Sequence, residues 1–331
     1  MLKNFISIVV TSVLLSAISG GVKTSRNLAQ AQSQPKVVAS HNVICDLLQT
    51  IARDTIGLTC LIGADQDPHS YRPTPSDLKA IESAQLIFYG GYDIEPQIAK
   101  LFTNEEIPTV ALYEQAVAEP IMVEHGHDHG HDHEHDEPAE KSQETQEQPE
   151  PDPHVWHNVE NTVAMVELLQ SIFLQANPNA AEQYLANSTS LTEQLWQLDA
   201  WIKDQIDTIP EGKKVLVTTH DSLNYYAAAY NLDDYLALQG LSADSAPTAS
   251  QIKELSTEIK EAEVPTIFVE LTKNERVINN VAREANVEVS ESPLYVDGLG
   301  EAENYTEMMT HNTCTIVNGL GGTCEPFKPD N

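Results

Sequence analysis

Short apolar runs and helix-period patterns alternate along most of this chain. Lys36 to Ser40 (Lys-Val-Val-Ala-Ser) reads as a buried strand, and an amphipathic helix follows from about Asn42 to Arg53. Strands near Leu58 to Ile62, Leu86 to Tyr89 and Pro108 to Leu112 then alternate with helical stretches such as Pro75 to Ser83. Past a helix from about Val159 to Gln175, apolar or small residues recur at Tyr184, Ser188, Leu191, Leu195, Leu198, Ile202 and Ile206. Spacing by fours and threes predicts one helix from Pro178 to Ile209, about 45 Å long, with proline in its first turn and Pro210 as its stop. Alternation then resumes: a strand at Lys214 to Thr218, helices through Tyr225 to Tyr230 and Ser250 to Ala262, and a strand at Thr266 to Glu270. A helix through Arg276 to Ala285, a strand at Val287 to Ser290 and a helix near Ala302 to His311 complete it. Such alternation implies parallel sheets covered by helices. The expected fold is α/β: an N-terminal lobe over residues 36–176, a linking helix over 178–209 and a C-terminal lobe over 213–329. Two parallel-sheet lobes, each with its own core, on one rigid helix would leave a cleft between them.

Two segments break the pattern. Residues 1–22 read as an export signal, with Lys3 before an apolar stretch from Phe5 to Ile18 and small residues after it. That stretch makes a helix of only about 21 Å, short of the roughly 30 Å hydrocarbon core. Ser19 and Ala31 both fit as cleavage positions, and no cysteine lies nearby to carry a lipid. The mature chain is therefore expected free in a periplasm, without membrane insertion. The second break, residues 119–151, is almost wholly His, Asp, Glu, Gln and Pro after Val123, and is expected to be a disordered loop.

Charge narrows the partners. The net charge is −32 at pH 7, which disfavours nucleic acid and anionic membrane surfaces. Twelve carboxylates and one lysine between Glu119 and Asp152 supply a local −11 of it. The four cysteines, in an oxidising compartment, read as structural disulfides. Cys314 and Cys324 flank the turn Asn318-Gly319-Leu320-Gly321-Gly322 and are expected to pair, leaving Cys45 with Cys60.

Histidines carry the chemistry. Six of the twelve are packed between His125 and His135, while His69, His154, His157 and His220 stand alone in Asp67-Pro68-His69-Ser70-Tyr71, Asp152-Pro153-His154-Val155-Trp156-His157 and Thr218-Thr219-His220-Asp221. His69 falls in the loop after the second strand, His154 where order resumes, and His220 just beyond the strand ending at Thr218. Ligands of open parallel sheets bind outside the carboxyl ends of strands, which is where these loops lie. Three imidazoles and one oxygen suit Zn²⁺ and suit Mn²⁺ less, since manganese prefers more oxygen. Asp297, in Tyr295-Val296-Asp297-Gly298-Leu299-Gly300, is a candidate oxygen donor. An isolated loop histidine is more often a cap or a hydrogen-bonded surface group than a ligand, and His41, His157 and His311 are left mainly to that reading.

These residues resemble the zinc- and manganese-binding solute-binding proteins of ABC importers, particularly the ZnuA-type zinc proteins. The resemblance spans nearly all of the mature chain, from Val37-Val38-Ala39-Ser40 through Gly63 to Asp77, Asp152 to Trp156, Thr219-His220-Asp221 and Ile267 to Glu270, to Asp297-Gly298-Leu299-Gly300. It implies that His69, His154 and His220 bind the metal and that Asp297 can be the fourth ligand. Manganese members tend to carry Glu at the position of His220, so the histidine here implies zinc. Many members have Asp-Ser where this chain has Asp297-Gly298, which makes Asp297 the least secure of the four. A membrane permease is the implied partner and the protein is expected to be a monomer.

The cluster His125, His127, His129, His131, His133 and His135 alternates imidazole and carboxylate donors without fixed geometry, so it should bind ions loosely and exchangeably. Its tether of about 17 residues gives a reach of roughly 20 to 25 Å, enough to bring ions to the cleft mouth at an effective concentration on the order of millimolar. Two other functions compete with transport. A zinc hydrolase needs an open coordination position and a general base, and no His-Glu-x-x-His is present. A buffer or metallochaperone acting through the loop alone would lose all tight binding with the loop.

Overall fold

The structure, a computed structural model, describes residues 34–102, 106–124, 148–242 and 246–329. The export signal and the histidine run from His125 to His135 lie outside the described residues. Four parallel strands form the N-terminal sheet: β1 (Lys36–Ala39), β2 (Gly57–Cys60), β3 (Leu86–Tyr89) and β4 (Thr109–Ala111), in the order β2-β1-β3-β4. Val37, Val38 and Ala39 of the central β1 are all buried, which explains why that strand reads as an unbroken apolar run. The connections are α1 (Asn42–Ala52), α2 (Pro75–Ser83) and the short α3 (Pro96–Ala99), with α4 (Leu112–Ala116) following β4 directly. At α2, Thr74 and Asp77 form a reciprocal capping box and Pro75 occupies the first turn, so its start was written in the sequence.

The polar segment 119–151 is ordered at its two ends, and residues 125–147 lie outside the described residues. Its ends are drawn together by an antiparallel pair, β5 (Met122–Val123) and β6 (Glu150–Pro151). Beside this ribbon the Asp152 N–H donates to the Ile121 carbonyl at 2.8 Å, and the Ile121 N–H donates to the Tyr225 hydroxyl at 2.9 Å. Backbone pairing therefore orders residues that apolar content alone did not mark. Helix α5 (Val159–Ala176) follows, capped by Asn158.

The long linking helix is present with a modified start: Pro178–Ala180 form a 3₁₀ turn, and α6 covers Ala181–Ile206. Bonds from the Thr208 and Ile209 N–H groups to Gln205 and Ile206 carry a tighter turn up to Pro210.

In the C-terminal half, β7 (Val215–His220), α7 (Asn224–Ala229), β8 (Asp234–Gln239) and α8 (Ala249–Glu261) lead to β9 (Thr266–Ile267). Then come α9 (Glu275–Ala285), β10 (Glu288–Val289) and α10 (Tyr305–Gly319). β7 pairs in parallel with β8, and β9 with β10. The Phe268 N–H donates to the Val217 carbonyl at 2.9 Å, linking the two pairs. Strand β8 was not expected. α10 runs eight residues past the expected end at His311, so Asn318 and Gly319 belong to the helix rather than to a turn between cysteines. Both disulfides form: Cys45–Cys60 joins α1 to β2, and Cys314–Cys324 ties α10 to the C-terminal tail.

The largest core is shared between the halves. Val37, Ile44 and Leu48 from the first half join Leu195, Leu198 and Ile202 of α6 and Leu216, Phe268, Met308 and Ile316 from the second. Smaller clusters around Ile62 and Ile87, and around Val217, Leu255 and Ile278, line the separate sheets. α6 packs against α1 and α10 alike, so the linking helix is a common wall as well as a connector. Among the described residues, no helix is long and apolar enough to cross a membrane.

Candidate metal centre

Four separate segments deliver one donor each. His69 comes from the loop between β2 and α2, His154 from the turn between β6 and α5, and Asp297 from the segment between β10 and α10. His220 is the last residue of β7, not a loop residue beyond it, because β8 extends the ladder as far as the pairing of His220 with Gln239. All four are buried.

Two of the donors sit on the same local device. In Asp67-Pro68-His69 and Asp152-Pro153-His154 an aspartate Oδ1 accepts the backbone N–H of the histidine two residues on, at 2.9 Å in both. This aspartate turn fixes each histidine backbone without sheet or helix hydrogen bonds.

The donor atoms converge. His69 Nε2 lies 3.2 Å from His154 Nε2. Asp297 Oδ1 lies 3.2 Å from His220 Nε2, 3.6 Å from His69 Nε2 and 3.8 Å from His154 Nε2. All four atoms fall within 4.8 Å of one another. A regular tetrahedron with zinc–ligand bonds near 2.05 Å has edges of about 3.3 Å, and the four separations from 3.2 to 3.8 Å lie close to that. His220 Nε2 and Asp297 Oδ1 are also buried without a hydrogen-bond partner. Such groups cost about 1–3 kcal/mol each, and a cation shared among the four would satisfy both.

Outer partners set which nitrogen faces the centre. His154 Nδ1 donates to Asp152 Oδ1 at 2.8 Å, and His220 Nδ1 donates to Glu270 Oε2 at 2.5 Å. Each bond turns the Nε2 lone pair inward, the carboxylate–histidine arrangement that fixes tautomer and raises ligand basicity. Glu270 is itself pinned, since its Oε1 accepts from the Thr219 and His220 N–H groups at 2.9 and 3.0 Å. Asp297 Oδ2 accepts from the Thr272 hydroxyl and, at 2.9 Å, from Lys273 Nζ, which also meets Asp67 Oδ2 at 2.8 Å.

Burial and these partners split the titrations. Burial works against a charged His220, but the Glu270 and Asp297 carboxylates outweigh it and raise its pKa to about 9. Burial likewise opposes protonation of His154, and Asp152 overcomes it to move the pKa upward. At His69 burial outweighs the pull of Asp297 and, with the positive groups around it, holds its pKa well below the ordinary histidine value. Burial disfavours an ionised Asp297, yet His220, His154 and Lys273 keep its carboxyl well below the usual carboxylate range. The centre thus offers an anionic oxygen and three imidazoles, of which His220 holds a proton that an incoming cation must displace.

The other described histidines, His41, His157 and His311, bond to backbone carbonyls. His41 Nε2 donates to the Asp297 carbonyl and His157 Nε2 to the Val296 carbonyl, both at 2.9 Å. They clamp the backbone that carries Asp297. Burial pushes His41 to about 4 and His157 to about 3, so both are neutral donors. His311 stacks on Tyr295 and contacts the Pro293 carbonyl. Gly298 has a reason of its own: a Cβ there would lie 2.5 Å from the Asn42 amide. Asn42 uses that space to accept from the Leu299 N–H at 2.8 Å and to donate to the Gly63 carbonyl at 3.2 Å. The repeated Asp-Pro-His spelling is the sequence signal that could have marked the two aspartates as turn formers, whereas the partnerships of Asp152, Glu270, Thr272 and Lys273 depend on tertiary convergence.

Comparison with known proteins agrees with this geometry. Residues 37–319 match the family model described as "Zinc-uptake complex component A periplasmic". The manganese-binding lipoprotein MntA of Halalkalibacterium halodurans is 27% identical over 325 residues, covering 97% of this chain and 99% of that one. The manganese ABC transporter substrate-binding lipoprotein PsaA of Streptococcus pneumoniae serotype 4 is 28% identical over 318 residues, covering 94% and 96%. The solved structure of the periplasmic zinc binding protein TroA from Treponema pallidum superposes with a TM-score of 0.75 at 26% identity, covering 87% of this chain and 99% of that one. With a family model spanning almost the whole described fold, the chain belongs to the periplasmic zinc-uptake complex component A family, and is a metal-binding component of an ABC importer rather than an enzyme.

Proposed function

We propose that the protein captures Zn²⁺ on His69, His154, His220 and one oxygen of Asp297 and delivers it to the membrane permease of its importer. The observation that carries this reading is the donor set, three imidazole nitrogens and one carboxylate oxygen gathered within 4.8 Å of one another. Zinc is satisfied by such a set, whereas manganese favours more oxygen ligands. The manganese-named relatives keep that metal as the rival cargo. Release falls to the permease: three buried neutral imidazoles hold zinc until docking pulls their segments apart. The six histidines from His125 to His135 are proposed to gather ions for the centre without forming it.

The relatives named above are lipoproteins, whereas all four cysteines here are engaged in disulfides. We propose a monomer free in the periplasm, a reading that the mass of the exported protein tests directly. The main experiment is competitive titration of zinc and manganese against the wild type, His69→Ala, His154→Ala, His220→Ala and a chain lacking residues 124–137. One tight zinc site should survive the deletion and be lost in each histidine variant. Retention of tight zinc in all three variants, or stronger binding of manganese than zinc by the wild type, would overturn the proposal.

A further inference from the structure

The two oxygens of Asp297 face different surroundings. Oδ1 looks toward the three Nε2 atoms and has no hydrogen-bond partner. Oδ2 is held by the Thr272 hydroxyl and by Lys273 Nζ at 2.9 Å. The Lys273 side chain is only 6% exposed, and its one other acid partner is Asp67 Oδ2 at 2.8 Å. The backbone that carries Asp297 is held as well: the Asp297 carbonyl is bonded to His41, the preceding carbonyl to His157, and the following Gly298 is packed against Asn42.

From this geometry we infer that Lys273 is a specificity-determining residue: by occupying Asp297 Oδ2 it restricts the aspartate to a single metal-binding oxygen. To chelate through both oxygens, Asp297 would have to give up a largely buried ammonium, leaving Lys273 with Asp67 as its one carboxylate partner among the described residues. A cation content with four ligands loses nothing by this restriction. One that needs five or six, with more oxygen among them, is denied the cheapest additional donor. Discrimination against manganese then arises one layer outside the ligands, on a residue that never touches the metal. The inference rests on the ligand set proposed above.

The test compares Lys273→Met, Lys273→Arg, Asp67→Asn, Thr272→Val and the double variant Lys273→Met/Asp67→Asn with the wild type. Zinc and manganese affinities are measured by competition, and coordination number by X-ray absorption on each loaded protein. Wild type and Lys273→Arg should hold zinc with four ligands. Lys273→Met, or the double variant if the single one fails to fold, should raise manganese affinity relative to zinc at least tenfold and add a second carboxylate oxygen to bound manganese. Thr272→Val should shift the ratio in the same direction by less. Asp67→Asn, which leaves Lys273 on Asp297, should not change it. An unchanged ratio in the lysine-free variants, five-coordinate zinc in the wild type, or an equal shift in Asp67→Asn would overturn the inference. The two readings fail separately. A wild type that prefers manganese but shifts tenfold on losing Lys273 refutes zinc as cargo and keeps the role of the lysine, whereas a zinc-selective wild type indifferent to Lys273 does the reverse.

Discussion

At both Asp-Pro-His corners an aspartate accepts the histidine N–H at 2.9 Å across a proline, yet the two aspartates spend their remaining capacity differently. Asp152 takes the imidazole Nδ1 of its own histidine at 2.8 Å and the Asn224 amide at 3.0 Å. Asp67 reaches away from its histidine to Lys273 at 2.8 Å. The result is opposite titration at neighbouring ligands: His154 is pushed up by its carboxylate, and His69 is pushed down by burial. The tripeptide therefore fixes where each histidine sits, while tertiary partners decide how readily it holds a proton.

Removing a donor gives the largest effect. His154→Ala should weaken zinc binding by two to three orders of magnitude, since four-ligand zinc sites are worth about 10–16 kcal/mol and one ligand carries about a quarter of that. Loss of less than tenfold in a competition titration would put His154 outside the site. pH comes next. His220, with a pKa near 9 in the metal-free protein, must give up its proton to bind, so apparent zinc affinity should rise with pH from 7 and level off near 9, about tenfold per unit. Calorimetry in buffers of different ionisation enthalpy should count that proton, with none contributed by His69. A flat affinity over this range would contradict the assigned roles.

Asp152→Asn should cost about 10- to 100-fold in zinc affinity, because it removes the partner that orients His154. Asp67→Asn should cost under tenfold, since Asp67 positions the backbone of His69 but does not touch its imidazole. Equal losses at the two corners, read from the same titration, would erase the distinction between them.

Much of the fold was legible because strand-helix alternation, caps and proline stops are local signals. β8 escaped because its apolar run, Tyr235-Leu236-Ala237-Leu238, is only four residues long and a run that short does not separate strand from helix. The extra length of α10 was hidden by reading Asn318 and Gly319 as a turn, although Ile316 and Val317 just before them are core residues. In the centre, the histidines and Asp297 were visible through their neighbours. Lys273 was not: a buried lysine has no sequence signature, and only the meeting of Asp67 with Asp297 explains it.

Trp156 turns the same packing into an optical probe. Its indole lies 5.5 Å from the His154 ring, 4.7 Å from His41, 5.4 Å from His157 and 5.2 Å from Tyr113, measured between ring centres. His41 and His157 are held neutral by burial, so among these rings only His154 is shifted toward its protonated form. Imidazolium quenches indole emission, and the light from Trp156 should brighten as the centre fills. Trp196 and Trp201 lie on α6, and replacing both with phenylalanine leaves a single tryptophan, beside the proposed ligands. Cargo loading then becomes readable without a label.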